Sequence, residues 1–383
     1  MVGMLSLIIF LLILSFLVII HELGHFTVAK KNGIRVEEFG IGFPPKLRGI
    51  RKGETEYTIN AIPLGGFVRL YGEEYADTVS GDKDRSFVSK KPYQKAAVIV
   101  AGIVVNILFG VLLFYGILAY NGFRADPLPL LFPHHFVFGK QEGRVIAAQL
   151  VQGSPAQKAG IAPEDIILSY SANEGTNTTI HSAAELINII KSSPGKVVHL
   201  ETQNLKDGAT KFVTVVPQYN ATLKRAVIGV SLIDGIVLSY PTPVDKLFSG
   251  LMHSYNVLDY NFSAVAKLVQ ISVKEKSAAP VSGAVSGPIG IYSVVNDIMS
   301  TSGEKLTLNI LNLMALLSLS LGVMNILPLP ALDGGRLVFI IYEWITGKPV
   351  HKKVESITNL VGFAFLIGLA VLVSINDILR LVK

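Results

Sequence analysis

With 383 residues, half of them hydrophobic, only 16% charged, and a mean hydropathy of +0.49, the chain is too apolar for an ordinary soluble enzyme and too mixed for a pure bundle of spans. It contains no Cys, which excludes disulfides and thiolate metal sites, so any metal must take His, Asp or Glu. The net charge of +6 does not call for a nucleic-acid partner, because the basic residues cluster beside the apolar runs and topology explains them.

Four apolar runs, at residues 4–29, 96–120, 306–327 and 357–379, approach or exceed the ~20 residues that a spanning helix needs. Lys and Arg crowd the stretch from Lys30 to Lys95, and Arg336, Lys348, Lys352 and Lys353 lie between the third and fourth runs. The positive-inside rule puts both loops in the cytoplasm. Both chain ends and the long segment between spans two and three then fall outside. The first run has no basic residue before it and no small-residue cleavage site, so it is expected to stay as a membrane span.

That span, residues 1–30, ends in His21-Glu22-Leu23-Gly24-His25. On a helix the two histidines are one turn apart and share a face, so both imidazoles can reach one metal ion. Glu22, beside the first of them, is placed to take a proton from water on that metal. Such groups are costly in a bilayer and mark function. Counted from Leu5 at the outer surface, His21 lies about sixteen residues, or ~24 Å, into the membrane. It is therefore expected inside the ~30 Å hydrocarbon core, nearer the cytoplasmic side.

In the cytoplasmic loop, residues 31–95, the stretch 54–62 alternates and is β-prone, Pro63-Leu64-Gly65-Gly66 signals a turn, and 67–71 alternates again. A hairpin over 54–72 with an apolar tip is expected. The second span, 96–120, carries Ala101-Gly102 and a lone Asn106, which reads more readily as glue between helices than as a functional group.

Residues 121–237 read as an extracytoplasmic insertion of short strands and one helix at 183–190. Its Gly153-Ser154-Pro155-Ala156-Gln157-Lys158-Ala159-Gly160-Ile161, followed by Asp165-Ile166-Ile167-Leu168, resembles a PDZ domain. Such domains bind extended peptide as an added strand. The glycine-rich loop that would hold a C-terminal carboxylate is not evident. His134 and His135, neighbours in a Pro-rich loop, make a poor metal pair, and His181 and His199 stand alone.

Within 238–305, Leu247, Leu251, Leu258, Phe262, Val265 and Leu268 form a helical stripe. The polar residues between them point to a helix lying on the membrane or packed on the inserted domain, not to a fifth span. A small-residue linker follows, and Pro288 opens a further helix at its first position. The third span, 306–330, runs through Asn325 into Pro328 and Pro330, which break the helix. Irregular backbone at that depth is tolerated only where protein buries it or water reaches it. Asp333 is read as a rim charge, a helix cap or, preferred because two histidines need another donor, a metal ligand. A cytoplasmic segment, 331–355, and a fourth span, 356–383, complete the chain.

Taken together, HELGHFTVAK, IPLGGFVRLYGE, the PDZ-like run, SGPIGI and NILPLPALDGG resemble the site-2 protease family of intramembrane zinc metalloproteases, in particular its bacterial RseP-like members. The resemblance covers nearly the whole chain. It implies a mainly α membrane protein of four transmembrane helices, with a membrane-associated β-hairpin and one inserted α+β PDZ domain. It implies Zn2+ on His21, His25 and Asp333, with Glu22 as catalytic acid and base. Asn325 and the hairpin residues Pro63, Leu64, Gly65, Gly66 and Phe67 would handle substrate. The expected partners are the bilayer and transmembrane helices pre-trimmed by another protease, such as anti-sigma factors or remnant signal peptides. The expected place is the bacterial cytoplasmic membrane. Ala101-Gly102-Ile103 departs from the family's usual Ala-Gly-Pro, and some relatives carry two PDZ domains. A zinc transporter would need no general base, and a tethered PDZ adaptor would be expected to lack Glu22 or Asp333.

Overall fold

The computed structural model describes residues 2–73, 82–171, 177–204 and 208–381. Its elements run α1 (Val2–Lys31), β1 (Val36–Lys52), β2 (Thr55–Leu70), α2 (Pro92–Tyr120), β3 (Leu128–Pro129), β4 (Lys140–Leu150), α3 (Pro155–Lys158), β5 (Ile166–Ser171), β6 (Thr178–Thr179) and α4 (Ala183–Lys191). Then come β7 (Val198–Gln203), β8 (Thr210–Val215), β9 (Gln218–Asn220), β10 (Arg225–Val227), β11 (Val230–Ser239), α5 (Pro243–Glu275), α6 (Ala279–Ala284), α7 (Pro288–Thr301), α8 (Leu306–Ile326), α9 (Asp333–Thr346) and α10 (Lys352–Leu381). Among the described residues four helices are long and apolar enough to cross a membrane, over Gly3–Lys31, Pro92–Tyr120, Gly303–Ile326 and Lys352–Arg380. These are the four expected spans, each within a few residues.

The chain divides into two units, of which the first holds residues 1–113, 271–300 and 309–383. In this unit α1 and α2 cross closely. A Cβ on Gly24 would meet the Ala101 carbonyl at 2.6 Å, and one on Gly102 would meet His25 Nε2 at 2.5 Å, so only glycine lets the helices approach there. Phe10, Ile13 and Leu17 of α1 pack with Val295 of α7. Asp377 of α10 accepts from the Gly287 and Gly290 amides at 2.9 and 2.8 Å, satisfying donors at the start of α7, which opens at Pro288 as expected.

The segment between α1 and α2 is where the fold departs from the sequence reading. The two halves of β2 do not form a hairpin with each other. Residues 36–41 of β1 lie between them, pairing Phe39 with both Val68 and Tyr57, and Ile41 with both Gly66 and Ile59. Residues 46–52 of β1 then pair with 55–60 of β2. Two long bent strands thus build a layer four segments wide, with residues 66–70 on one edge and 46–52 on the other. Pro44, Pro45 and three glycines in the stretch 36–52 hide β1 from pattern reading. One face, carrying Phe39 and Tyr57, stacks on Phe26 of α1 at ring distances of 5.4 and 6.1 Å. The other is polar: Glu38 takes Arg69 and Thr58, and Glu56 takes Lys46.

Within 331–355 the structure adds a helix that the sequence reading did not assign: Asp333–Thr346 forms α9 and docks Ile340 into a cluster with Ala29, Val36, Leu70, Val98 and Ile99. Its first turn needs Gly334 and Gly335, where a Cβ would lie 2.1 Å from the Leu327 carbonyl and 2.3 Å from that of Leu329.

The second unit holds residues 114–270 and 301–308. Its main sheet has the order β3-β11-β4-β5-β7-β8, with β6 on β5. α4 packs Leu186 and Ile190 over the sheet residues Val145, Ile167, Leu200 and Val213. β11 pairs with β4 along its whole length and runs past residue 237, where the inserted domain was expected to end. α5 presents its faces the opposite way from ordinary packing. His253, Asn256, Val257 and Tyr260 are buried, while Leu247, Leu251, Phe262 and Val265 of the stripe stay exposed. Leu268, at the far end of the stripe, is buried, so the stripe is left uncovered at these four positions and not along its whole length.

Candidate metal centre

The site begins with α1, whose one-turn spacing brings His21 and His25 together with their rings 4.7 Å apart. Asp333, first residue of α9, supplies a carboxylate oxygen 2.9 Å from His21 Nε2 and 3.3 Å from His25 Nε2; the two Nε2 atoms are 3.0 Å apart. Donors held about 2.0–2.1 Å from one tetrahedral ion sit roughly 3.3 Å from one another, so the three fit a zinc with a fourth position open. Among the described residues these three form the one group of His and carboxylate donors that meets at a point.

Other elements fix the ligands from behind. His25 Nδ1–H donates to the Val98 carbonyl at 2.8 Å, which leaves Nε2 as the lone-pair nitrogen facing the site. The Asn106 amide lies 3.3 Å from His21 Nδ1. Its Oδ1 is otherwise buried without a partner, and turning the amide to present Oδ1 lets it accept the ring N–H and leaves His21 Nε2 for the metal. Asn106 is thus tied to a candidate ligand and is more than glue between helices. Both imidazoles are nearly buried, at 6% and 8% exposure.

Glu22, His25 and Asp333 open into a cleft of about 450 Å3 whose other walls include Phe43, Phe67, Val68, Arg69, Leu70, Glu73, Val98 and Arg336. Of the residues expected to handle substrate, Phe67 lines this cleft. Gly66 lies beside Glu22, since a Cβ there would be 3.9 Å from Glu22 Cγ. Pro63 and Gly65 face α1 instead: Ser15 donates to the Pro63 carbonyl at 2.7 Å and accepts from the Gly65 amide at 3.4 Å. The Leu64 side chain lies outside what is described. Asn325 is half-buried on the last turn of α8 and is not among the residues that line the cleft. Sequence reasoning missed Glu73 and Arg336. The only signal was an Arg one helical turn after Asp333.

In the second unit His134 pairs with Asp259 at 3.1 Å and His199 with Thr214 at 3.1 Å.

A helix-borne HExxH beside an aspartate from another helix, with a glutamate in the same cleft, is the donor set of a metallopeptidase. Residues 9–369 match peptidase family M50, and the chain belongs to that family. It is a zinc metalloprotease and a multi-pass membrane protein. It is 31% identical over 375 residues to a Clostridium acetobutylicum protein provisionally named a zinc metalloprotease, covering 97% of both chains. With a similarly named Clostridium perfringens protein it shares 35% identity over 369 residues, 96% of this chain and 97% of the other. Among solved structures, the PDZ domain of an SdrC-like protein from Listeria monocytogenes matches 23% of this chain and 85% of its own, at 18% identity and a TM-score of 0.20.

Proposed function

We propose that this zinc metalloprotease cleaves peptide bonds inside transmembrane segments of other membrane proteins, with His21, His25 and Asp333 holding the zinc and Glu22 moving the proton. The observation that carries the reading is the meeting of His21, His25 and Asp333 on or beside a span, with Glu22, His25 and Asp333 lining one cleft together with residues 67–70 of a sheet edge. Zinc, when bound, polarises the scissile carbonyl and acidifies water from a pKa of 15.7 to about 7. Glu22 accepts a proton from the attacking water and returns it to the leaving amine. The Val98 carbonyl and Asn106 hold the imidazoles in the tautomer and orientation that metal binding requires.

A helical substrate hides its carbonyls in intrahelical bonds and must unwind, and each freed backbone group costs several kcal/mol in lipid unless it is paired. Among the described residues, 66–70 have a strand partner on one side only, and 67–70 line the cleft. That edge offers the unwound segment its backbone partners. The substrates are spans left after an earlier cut by another protease, a class that includes anti-sigma factors and remnant signal peptides.

The second unit serves as a PDZ-like screen on the outside of a bacterial cytoplasmic membrane. A groove of about 600 Å3 runs between α4 and the start of β11, lined by Ile187, Ile190, Gly229, Val230 and Leu232. Ile228-Gly229-Val230, with Gly229 at φ +76°, is part of the lining of this groove.

The test is a transmembrane reporter in vesicles with purified enzyme and measured zinc. Glu22→Gln should keep its zinc and lose at least about 100-fold in rate. Asp333→Ala should lose zinc and cleavage together. A Glu22→Gln enzyme cleaving at the natural rate would overturn the reading.

A further inference from the structure

Glu73 and Arg336 have no part in the proton chemistry, yet both face the cleft that holds Glu22, His25 and Asp333. Glu73 follows the free edge of β2 by three residues, and Arg336 follows Asp333 by three, on the first turn of α9. The two side chains form an ion pair, with Glu73 Oε1 taking a guanidinium N–H of Arg336. Glu73 Oε2 lies 3.4 Å from the Leu70 amide, which points away from the β1 partner. One carboxylate therefore bridges the last residue of the edge strand to the helix that begins with Asp333.

We infer that the Glu73–Arg336 pair is a register latch, fixing the substrate-presenting edge relative to the metal ligand and so choosing which peptide bond is cut. The inference rests on the proposal that residues 66–70 present substrate in this cleft. An extended peptide paired on a strand advances about 3.3 Å per residue, and a shift of two residues restores its hydrogen bonds and its side-chain faces. The neighbouring registers are thus alike in pairing energy. What separates them is the position of the scissile carbonyl relative to Asp333 and Glu22. A salt bridge between strand end and ligand helix holds that distance in a way that β2 pairing alone does not. The pair is suited to it: an Arg–carboxylate contact is directional, and Glu73 is only 12% exposed, so the interaction is partly shielded from water.

The fold of α9 does not depend on the latch. Lys95, itself buried, binds both carboxylate oxygens of Glu343 at 2.8 and 3.0 Å near the other end of the helix, and Ile340 is buried between. Arg336→Gln and Glu73→Gln should accordingly fold and bind zinc. Glu73 and Arg336 are positioning residues, and loss of either acts through the placement of substrate.

The experiment uses full-length enzyme in vesicles with a transmembrane reporter, zinc content measured on each variant, and cleavage products identified by mass. The natural chain should give one dominant product pair. Arg336→Gln and Glu73→Gln should each keep zinc, lose 10- to 100-fold in kcat with little change in KM, and add products displaced by two residues. The double variant should be no worse than either single one, and Arg336→Lys should restore most of the single cut. A variant with normal zinc that cuts only the natural bond, at whatever rate, overturns the latch. So does scatter that appears only alongside loss of zinc. If the natural chain itself fails to cut the reporter, the proposed function fails first, and that result is read from the control lane.

Discussion

The side-chain amide of Asn106 lies 3.3 Å from His21 Nδ1, while the Asn106 backbone carbonyl accepts the Ser318 hydroxyl at 2.8 Å. One fully buried residue of α2 thereby connects the first histidine of α1 to α8. A ligand ring held by a second hydrogen bond keeps its tautomer and orientation, and losing such a partner typically costs 10- to 100-fold in metal affinity. Asn106→Leu should weaken zinc binding by about that factor, with activity returning at high zinc. Competition with a chelator of known affinity measures it. Unchanged affinity would return Asn106 to a purely helix-packing role.

Topology is open to a clean labelling test, because the chain has no Cys to remove. Lys52 and Lys196 are both exposed, the first in the basic loop and the second in the β-rich unit. In intact cells a membrane-impermeant thiol reagent should reach Lys196→Cys from outside and Lys52→Cys only after the membrane is opened. The reverse pattern would invert the orientation that the basic residues specify.

Much of this site was legible in the sequence because its parts are local or chemically scarce. His21 and His25 declare themselves by helical spacing, and Asp333 by an acid next to a broken apolar helix. Glu73 and Arg336 did not, since each is an ordinary charged residue until the fold brings together positions 263 apart. The β1 segment was hidden for a related reason. Its prolines and glycines argue against a strand locally, and only pairing with both halves of β2 makes it one. The stripe on α5 was found correctly, but periodicity cannot say which face is buried. Here the polar face is, because Asn256 donates to the Phe138 carbonyl at 2.8 Å and accepts its amide at 3.2 Å.

That buried polar face predicts an acid-sensitive unit. Burial alone pushes His253 down from 6.5 to about 4, and its neighbours are the neutral Tyr240 hydroxyl at 3.2 Å and the Phe114 ring. Burial also drives the Tyr240 phenol upward, so it stays neutral in this range. Between those two values the unfolded chain binds a proton at His253 that the folded chain does not. Stability is complete above pH 6.5 and falls as pH drops toward 4, by about 3 kcal/mol at most. In unfolding of the full chain at pH 7 and at pH 4.5, His253→Phe should lose less stability on acidification than the natural chain. Equal losses would remove His253 as the cause.

The edge of β2 gives the sharpest test of how substrate is held. The Tyr71 amide donates to the Arg35 carbonyl at 2.9 Å, toward β1, whereas the Leu70 amide points to Glu73. Successive residues of a strand alternate, so Arg69 and Phe67 turn their amides toward β1, and Val68, like Leu70, turns its own toward the cleft. Proline at Val68 removes an outward donor and leaves the β1 ladder intact, while proline at Phe67 or Arg69 breaks the ladder itself. Val68→Pro should therefore keep zinc and fold yet slow cleavage, most on a stable helical reporter and least on one weakened by helix breakers. Phe67→Pro should lower stability along with rate, and Phe67→Leu should be mild. The readout is rate per zinc-loaded enzyme on both reporters, beside the unfolding temperature of each variant. If Val68→Pro cleaves both reporters at the natural rate, residues 66–70 do not bond the substrate backbone.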